Sequence, residues 1–107
     1  MIDQQRAEKA LDYLAHTDEV CAKARSYMLG LEKQEKTLLS VEILKVEGTQ
    51  QHKESTARVS EPYREWMKKY EESVCDFEIL RNRRNTAELL IEFWRSLNAN
   101  RRGVNIT

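Results

Sequence analysis

Three side chains near the amino terminus have the residue types and spacing of a metal site. Asp12, His16 and Glu19 stand four and three residues apart, so a helix would place all three on one face. Exposed polar faces of helices produce such sets constantly, and we interpret this one as a solvated face. The Glu-x-x-His spacing of di-iron carboxylate bundles is absent, since neither His16 nor His52 follows a glutamate by three residues. We therefore predict no metal and no cofactor.

The two cysteines lack the surroundings of a catalytic nucleophile. Cys21 and Cys75 each occupy or adjoin an apolar helical stripe, with no glycine-rich turn or paired histidine nearby in the sequence. This pattern favours buried structural thiols. The three glycines are too scattered to form a loop that cradles phosphate. The sequence therefore predicts a protein that is not an enzyme.

The most concentrated positive charge lies in the last quarter of the chain. Residues 81–107 hold six arginines against two acids, whereas residues 61–80 hold six acids against three bases. Such asymmetry is typical of a surface that binds phosphate or an acidic partner, including the acidic segment of a neighbouring subunit. The candidates for this contact are Arg81, Arg83, Arg101 and Arg102.

Aromatic residues alternate with these arginines, and they include Trp66, Tyr70, Phe77 and Trp94. Proteins that bind single-stranded nucleic acid combine the same residue types, because bases stack on aromatic rings. These rings nevertheless recur at helical core spacing, which favours a place in the core. Arg84 falls on the same apolar stripe, where pairing with Glu35 is one way to fix the alignment of two helices.

Apolar residues recur at alternating spacings of four and three in both halves of the chain, a mean period of 3.5 that keeps a stripe facing a partner helix. We call these positions the seam. In the first half they are Ala10, Leu14, Thr17, Cys21, Ala24, Met28, Leu31, Glu35 and Leu38. In the second half they are Tyr63, Trp66, Tyr70, Ser73, Phe77, Leu80, Arg84, Ala87, Ile91 and Trp94. The first seam begins with small side chains and the second contains large ones, which favours packing of one against the other.

The predicted fold is all-α, a long antiparallel two-helix hairpin in a single domain. The predicted segments are helix one at about 2–47, a turn at about 47–50 or extending to 60, helix two to about 98, and a basic tail at 99–107. Gly48 followed by Thr49 is the stronger stop signal, and Ser60 before Pro62 is the second. Residues 38–46 also fit a strand pattern, but no second strand exists to pair with them. A hairpin this long leaves much of its seam exposed, so we predict a dimer or a higher helical bundle.

The cellular context follows from what the chain lacks. No run approaches the roughly 18 apolar residues of a membrane span, and the amino terminus has no secretion signal. We therefore predict a soluble, cytoplasmic protein with no membrane contact.

Short motifs in the second half resemble those of small helical proteins encoded by tailed bacteriophages and prophages. They are Glu47-Gly48, Tyr63-Arg64, Leu80-Arg81, Ala87-Glu88, Ile91-Glu92, Trp94-Arg95-Ser96 and Ala99-Asn100-Arg101-Arg102. The resemblance covers about residues 45–102 and contains no catalytic motif, and Pro62 departs from the pattern. Because genes of this kind often stand among phage recombination and replication functions, the resemblance implies an accessory role in phage DNA metabolism.

These observations predict a non-enzymatic, homo-oligomeric helical protein that binds another protein. The alternative is an accessory factor that binds nucleic acid through its C-terminal arginines.

Overall fold

The computed structural model describes residues 3–106, with side chains described as far as residue 103. Every regular element in this range is an α-helix, which confirms the all-α prediction. The helices are α1 at Gln4–Ile43, α2 at Gln50–Arg58 and α3 at Glu61–Ile106. Residues 38–46, which also fit a strand pattern, lie at the end of α1 and in the connection after it. None of the helices in the described range is long and apolar enough to span a bilayer.

The chain uses both predicted stop signals, so a separate short helix lies between the two long ones. Gly48 has φ 127°, a left-handed conformation that only glycine adopts without strain. Thr49 then caps α2, its side chain accepting a hydrogen bond from the backbone N–H of His52 at 3.2 Å. Ser60 follows α2 and precedes α3, and Pro62 is tolerated because it stands in the first turn of α3.

The two long helices begin and end close to the limits of the described residues or at the connections around α2. α1 begins beside Asp3, whose Oδ1 accepts from the backbone N–H of Arg6 at 2.9 Å. α3 continues to Ile106, so residues 99–106, predicted as a tail beyond the helix, are helical. The reason is that Gly103 is the only breaker there and costs about 1 kcal/mol, too little to end a helix already formed.

The contacts divide the chain, predicted as one domain, into two compact units. The central unit is Lys23–Phe77, and the terminal unit consists of the described residues up to Ala22 and from Glu78 onward. Within each unit, a segment of α1 packs against an antiparallel segment of α3.

The central unit has a core of large side chains. Leu31, Tyr63 and Trp66 are buried together, and the rings of Trp66 and Tyr70 stack with centroids 5.4 Å apart at an interplanar angle of 5°. Phe77 is also buried. The aromatic seam predicted from the sequence thus forms the packed interior of this unit.

The terminal unit has a different interior. Its buried hydrophobic side chains, among those described, are all alanines: Ala7, Ala10 and Ala87. The larger seam residues around them are only half-buried, namely Leu14, Leu80, Ile91 and Trp94. The helices therefore approach closely on small residues, and the large apolar side chains remain partly in water.

Candidate interaction surfaces

Arg84 joins the two helices of the terminal unit. Its Nη1 donates to the carbonyl oxygen of Leu14 and to Oγ1 of Thr17, both at 2.8 Å. Its Nη2 donates to Oδ1 of Asp18 at 2.7 Å. The Arg84 side chain is 16% exposed, whereas that of Asp18 is 78% exposed. Three acceptors along one face of α1 give the guanidinium a single fitting position, so Arg84 fixes the alignment of these segments.

The pairing of Arg84 with Glu35, which the seam pattern allows, does not form. Glu35 instead accepts a hydrogen bond from the hydroxyl of Tyr63 at 2.9 Å, within the central unit. Burial of the phenol, followed by the nearby Glu35 carboxylate, raises the pKa of Tyr63 above its ordinary value, and Arg58 acts in the opposite direction. Each unit thus has its own polar contact between helices.

A second polar contact positions the aromatic core of the central unit. Nε1 of Trp66 donates to the carbonyl oxygen of Leu31 at 2.7 Å, and both residues are buried. An indole N–H buried without an acceptor is costly, so this bond sets where the ring lies along α1.

The seam positions face inward in both units. Leu31, Trp66 and Phe77 are buried. The other predicted seam residues are half-buried, namely Leu14, Cys21, Met28, Leu38, Tyr70, Leu80, Ile91 and Trp94.

The structure separates the four candidate arginines. Arg81 is exposed and pairs with Glu78 on its own helix at 3.3 Å. Arg101 and Arg102 are exposed near the end of α3. Arg83 alone among the four lines a groove between the two helices.

Arg83 belongs to a groove of about 430 Å³ in the terminal unit, which we call the cationic groove. Its lining residues are Arg6, Lys9, Ala10, Tyr13, Arg83, Thr86, Ala87 and Leu90. Sequence reasoning missed Arg6 and Lys9, because they stand more than seventy residues before Arg83 and meet it only through helix alignment. The available signal is the spacing of Arg6, Lys9 and Tyr13, which places them on one row of α1.

The hydroxyl of Tyr13 is buried and has no hydrogen-bond partner among the described residues. A buried hydroxyl without a partner costs about 1–3 kcal/mol. The wall of the cationic groove therefore contains one unsatisfied polar atom.

The terminal unit has a second groove, of about 170 Å³, which we call the mixed-charge groove. Its lining residues are Gln4, Ala7, Glu8, Leu11, Ile91, Trp94 and Arg95. It combines an apolar floor with one acid and one base. Leu11 is 57% exposed, so a partner seated in this groove would cover it.

The residues considered for chemistry lie on the surface. Asp12, His16 and Glu19 are all exposed, and Nδ1 of His16 donates to the carbonyl oxygen of Asp12 at 2.8 Å. Within residues 3–103, no three His, Cys, Asp or Glu side chains are grouped as metal ligands would be.

The two cysteines differ from each other. Cys21 is half-buried on the seam, whereas Cys75 is exposed, so the prediction of a buried thiol is wrong for Cys75. The reason is that residue 75 falls midway between the inward positions 73 and 77 and points away from them.

No family model, curated protein or solved structure matches this chain.

Proposed function

We propose that this chain is a non-enzymatic helical interaction protein whose terminal unit is completed by a second copy. The observation that carries the proposal is the interior of that unit. Its buried hydrophobic side chains, among those described, are alanines, and five of its large apolar residues line two open grooves, namely Leu11, Tyr13, Leu90, Ile91 and Trp94. Packing against a second copy would bury those residues and form a helical bundle.

The mixed-charge groove is the surface we assign to self-association. A twofold contact brings the same patch of two copies together, so the patch must complement itself. Glu8 on α1 and Arg95 on α3 supply one charge of each sign, and Leu11 and Trp94 supply apolar contact. Two copies can therefore meet with opposite charges opposed and their apolar residues covered.

Sedimentation velocity at micromolar concentrations tests this assignment. We expect the wild-type chain to sediment as a dimer or larger assembly and Leu11→Glu to sediment as a monomer, because the new carboxylate would be buried in the contact. Leu89→Glu is the matched control, since Leu89 is 66% exposed and lines neither groove. A monomeric wild-type chain, or equal dissociation by both variants, would refute the proposal.

Nucleic-acid binding is the alternative function, and Arg101 and Arg102, exposed near the end of α3, favour it. Two other arginines of the basic segment weaken it, because Arg81 pairs with Glu78 and Arg84 with Asp18. A gel-shift with single- and double-stranded DNA at low salt tests it, and the Arg101→Glu/Arg102→Glu variant should lose any binding. The accessory role in phage DNA metabolism rests on the sequence resemblance and remains a prediction.

A further inference from the structure

We infer that the cationic groove of the terminal unit binds an acidic amphipathic helix from a different protein. The inference deepens the proposed function and rests on it, since it names the partner of an interaction protein whose other groove binds a second copy.

The groove is open, and apolar side chains make up half of its lining; we call this apolar part the trough. Ala10 and Ala87 are buried there, and Tyr13 and Leu90 are half-buried. Grooves of this kind accept the apolar face of a helix, whose anchor residues recur every three or four positions.

The helix rows that line the groove continue past it to exposed apolar residues. Positions 6, 9 and 13 of α1 extend by the same spacing to Val20, and positions 90, 86 and 83 of α3 extend to Ile79. Val20 is 53% exposed and Ile79 is 44% exposed. The row from residue 6 to residue 20 spans about 20 Å, which matches about four turns of a bound helix.

The charges of the groove select the partner. Arg6, Lys9 and Arg83 line it, and none of its lining residues is acidic. Lys9 and Arg83 form no ion pair with any described residue, unlike Arg81 and Arg84. An approaching helix with glutamates beside its apolar stripe would pair with Lys9 and Arg83.

A second copy fits this groove poorly. A twofold contact would oppose the same three cations, Arg6, Lys9 and Arg83, in both copies, and like charges disfavour it. The chain's own acidic segment, residues 71–78, has no apolar face to offer. Its exposed residues are Glu71, Glu72, Cys75 and Asp76. Phe77 is already buried in the central unit.

Nucleic acid also fits less well than a helix. Phosphate backbones are bound by rows of cations on a polar surface. Here the cations border a trough with alanine, tyrosine and leucine in its floor and walls. An amphipathic helix uses both the cations and the apolar trough.

Fluorescence anisotropy with a designed peptide tests the inference. The probe is a fluorescein-labelled helical peptide of about four turns, with leucines on one face and glutamates on the others, and a second peptide carries lysine in place of each glutamate. The full-length chain should bind the acidic peptide and not the basic one. Arg83→Glu and Lys9→Glu should each weaken binding about tenfold or more. Arg102→Glu, which makes the same charge change at an exposed site outside the groove, should leave binding nearly unchanged.

Two further readouts separate this inference from the proposed function. The Arg83→Glu chain should sediment as the wild type does, whereas Leu11→Glu should lose self-association and keep peptide binding. The inference is overturned if the acidic peptide does not bind or if Arg102→Glu weakens binding as much as Arg83→Glu. It is also overturned if Arg83→Glu dissociates the assembly, which would make a second copy the occupant. Displacement of the peptide by single-stranded DNA in an Arg83-dependent manner would instead identify a nucleic-acid site.

Discussion

At the scale of single residues, the polar contacts between helices determine alignment more than they add stability. Arg84 and Trp66 each donate to a backbone carbonyl that a helix already uses, Leu14 and Leu31 respectively. A carbonyl oxygen has two lone pairs, so the extra bond breaks no helical one. A shift of one helix by a single turn would separate Arg84 from the side-chain oxygens of Thr17 and Asp18, and the loss of these bonds disfavours other alignments.

Replacement of Arg84 should therefore cost more than replacement of its charged partner. We expect Arg84→Ala to lower the free energy of unfolding by about 1–3 kcal/mol, since three hydrogen bonds and the packing of the stem are lost. Asp18→Ala should cost below about 1 kcal/mol, because its side chain is 78% exposed. Urea unfolding measures both. Equal losses would show that the ion pair with Asp18 matters and that the hydrogen bonds to Leu14 and Thr17 do not.

Tyr63 should make stability depend on pH in the alkaline range. Its pKa in the folded chain is raised, so above its ordinary value of 10.0 the unfolded chain releases a proton that the folded chain keeps. Fewer protons are then bound in the unfolded state, and stability falls as pH rises through the folded pKa. Below pH 10 this contribution is fully present.

The test compares Tyr63→Phe with the wild type by urea unfolding at about pH 8 and about pH 11. The variant should be less stable by about 1 kcal/mol at the lower pH, because the bond to Glu35 is lost. The difference in the free energy of unfolding between the wild type and Tyr63→Phe should be smaller at the higher pH. Tyr27→Phe, at a tyrosine that is 58% exposed, is the control and should change neither value much. A free-energy difference that is the same at both pH values would contradict the raised pKa of Tyr63.

At the scale of helices, two glycines have opposite roles. Gly30 lies within α1, and a Cβ added there would meet no atom within 4 Å. Gly48 has φ 127°, and an added Cβ would approach Cδ2 of His52 at 3.1 Å. Gly30 lowers the stability of α1 and makes no close approach that requires a glycine. Gly48 is required by the left-handed conformation of the turn before α2.

Alanine at these two positions should accordingly have opposite effects. Gly30→Ala should raise the free energy of unfolding by about 0.5–1 kcal/mol, since alanine favours the helix. Gly48→Ala should lower it by about 1–2 kcal/mol, the cost of a left-handed conformation for an L-residue. Thermal unfolding followed by circular dichroism compares them. A loss on Gly30→Ala would mean that another chain packs against that site.

The helices were predictable from the sequence to the extent that periodicity specifies them. The 3.5-residue seam and the rarity of glycine and proline predicted the long helices, and every seam position is buried or half-buried. The stop signals at Gly48 and Ser60 were both identified, but periodicity cannot show that the polar residues between them form a helix of their own. The end of α3 differs from the prediction, because the polar residues after Asn98 continue the helix and do not end it.

The candidate surfaces were predictable only in part, because a groove depends on how helices align. Arg83 stood out in its basic segment, but its neighbours Arg6 and Lys9 come from the other end of the chain. Arg6 and Lys9 lie near Arg83 because α1 and α3 are aligned by the hydrogen bonds of Arg84 to Thr17 and Asp18. The sequence alone suggested Glu35 for that role, since it too interrupts the seam.

At the scale of the whole molecule, the two units differ in what they bury. The central unit buries leucine, tyrosine, tryptophan and phenylalanine, and the terminal unit buries alanine alone among its described hydrophobic side chains. One chain thus combines a packed unit with one whose large apolar residues stay partly exposed. The two grooves would then bind different partners. The mixed-charge groove would bind a second copy, and the cationic groove would bind an acidic helix.

Trp94 gives the most direct view of the proposed contact, because it lines the mixed-charge groove while Trp66 is buried in the central unit. The measurement is ¹⁹F NMR of the chain labelled with 5-fluorotryptophan, with Trp94→Phe to assign the two resonances, over a dilution series. We predict that the Trp94 resonance changes position with concentration as the second copy leaves, whereas that of Trp66 stays fixed. A Trp94 resonance that does not change while sedimentation shows dissociation would contradict the assignment of this groove.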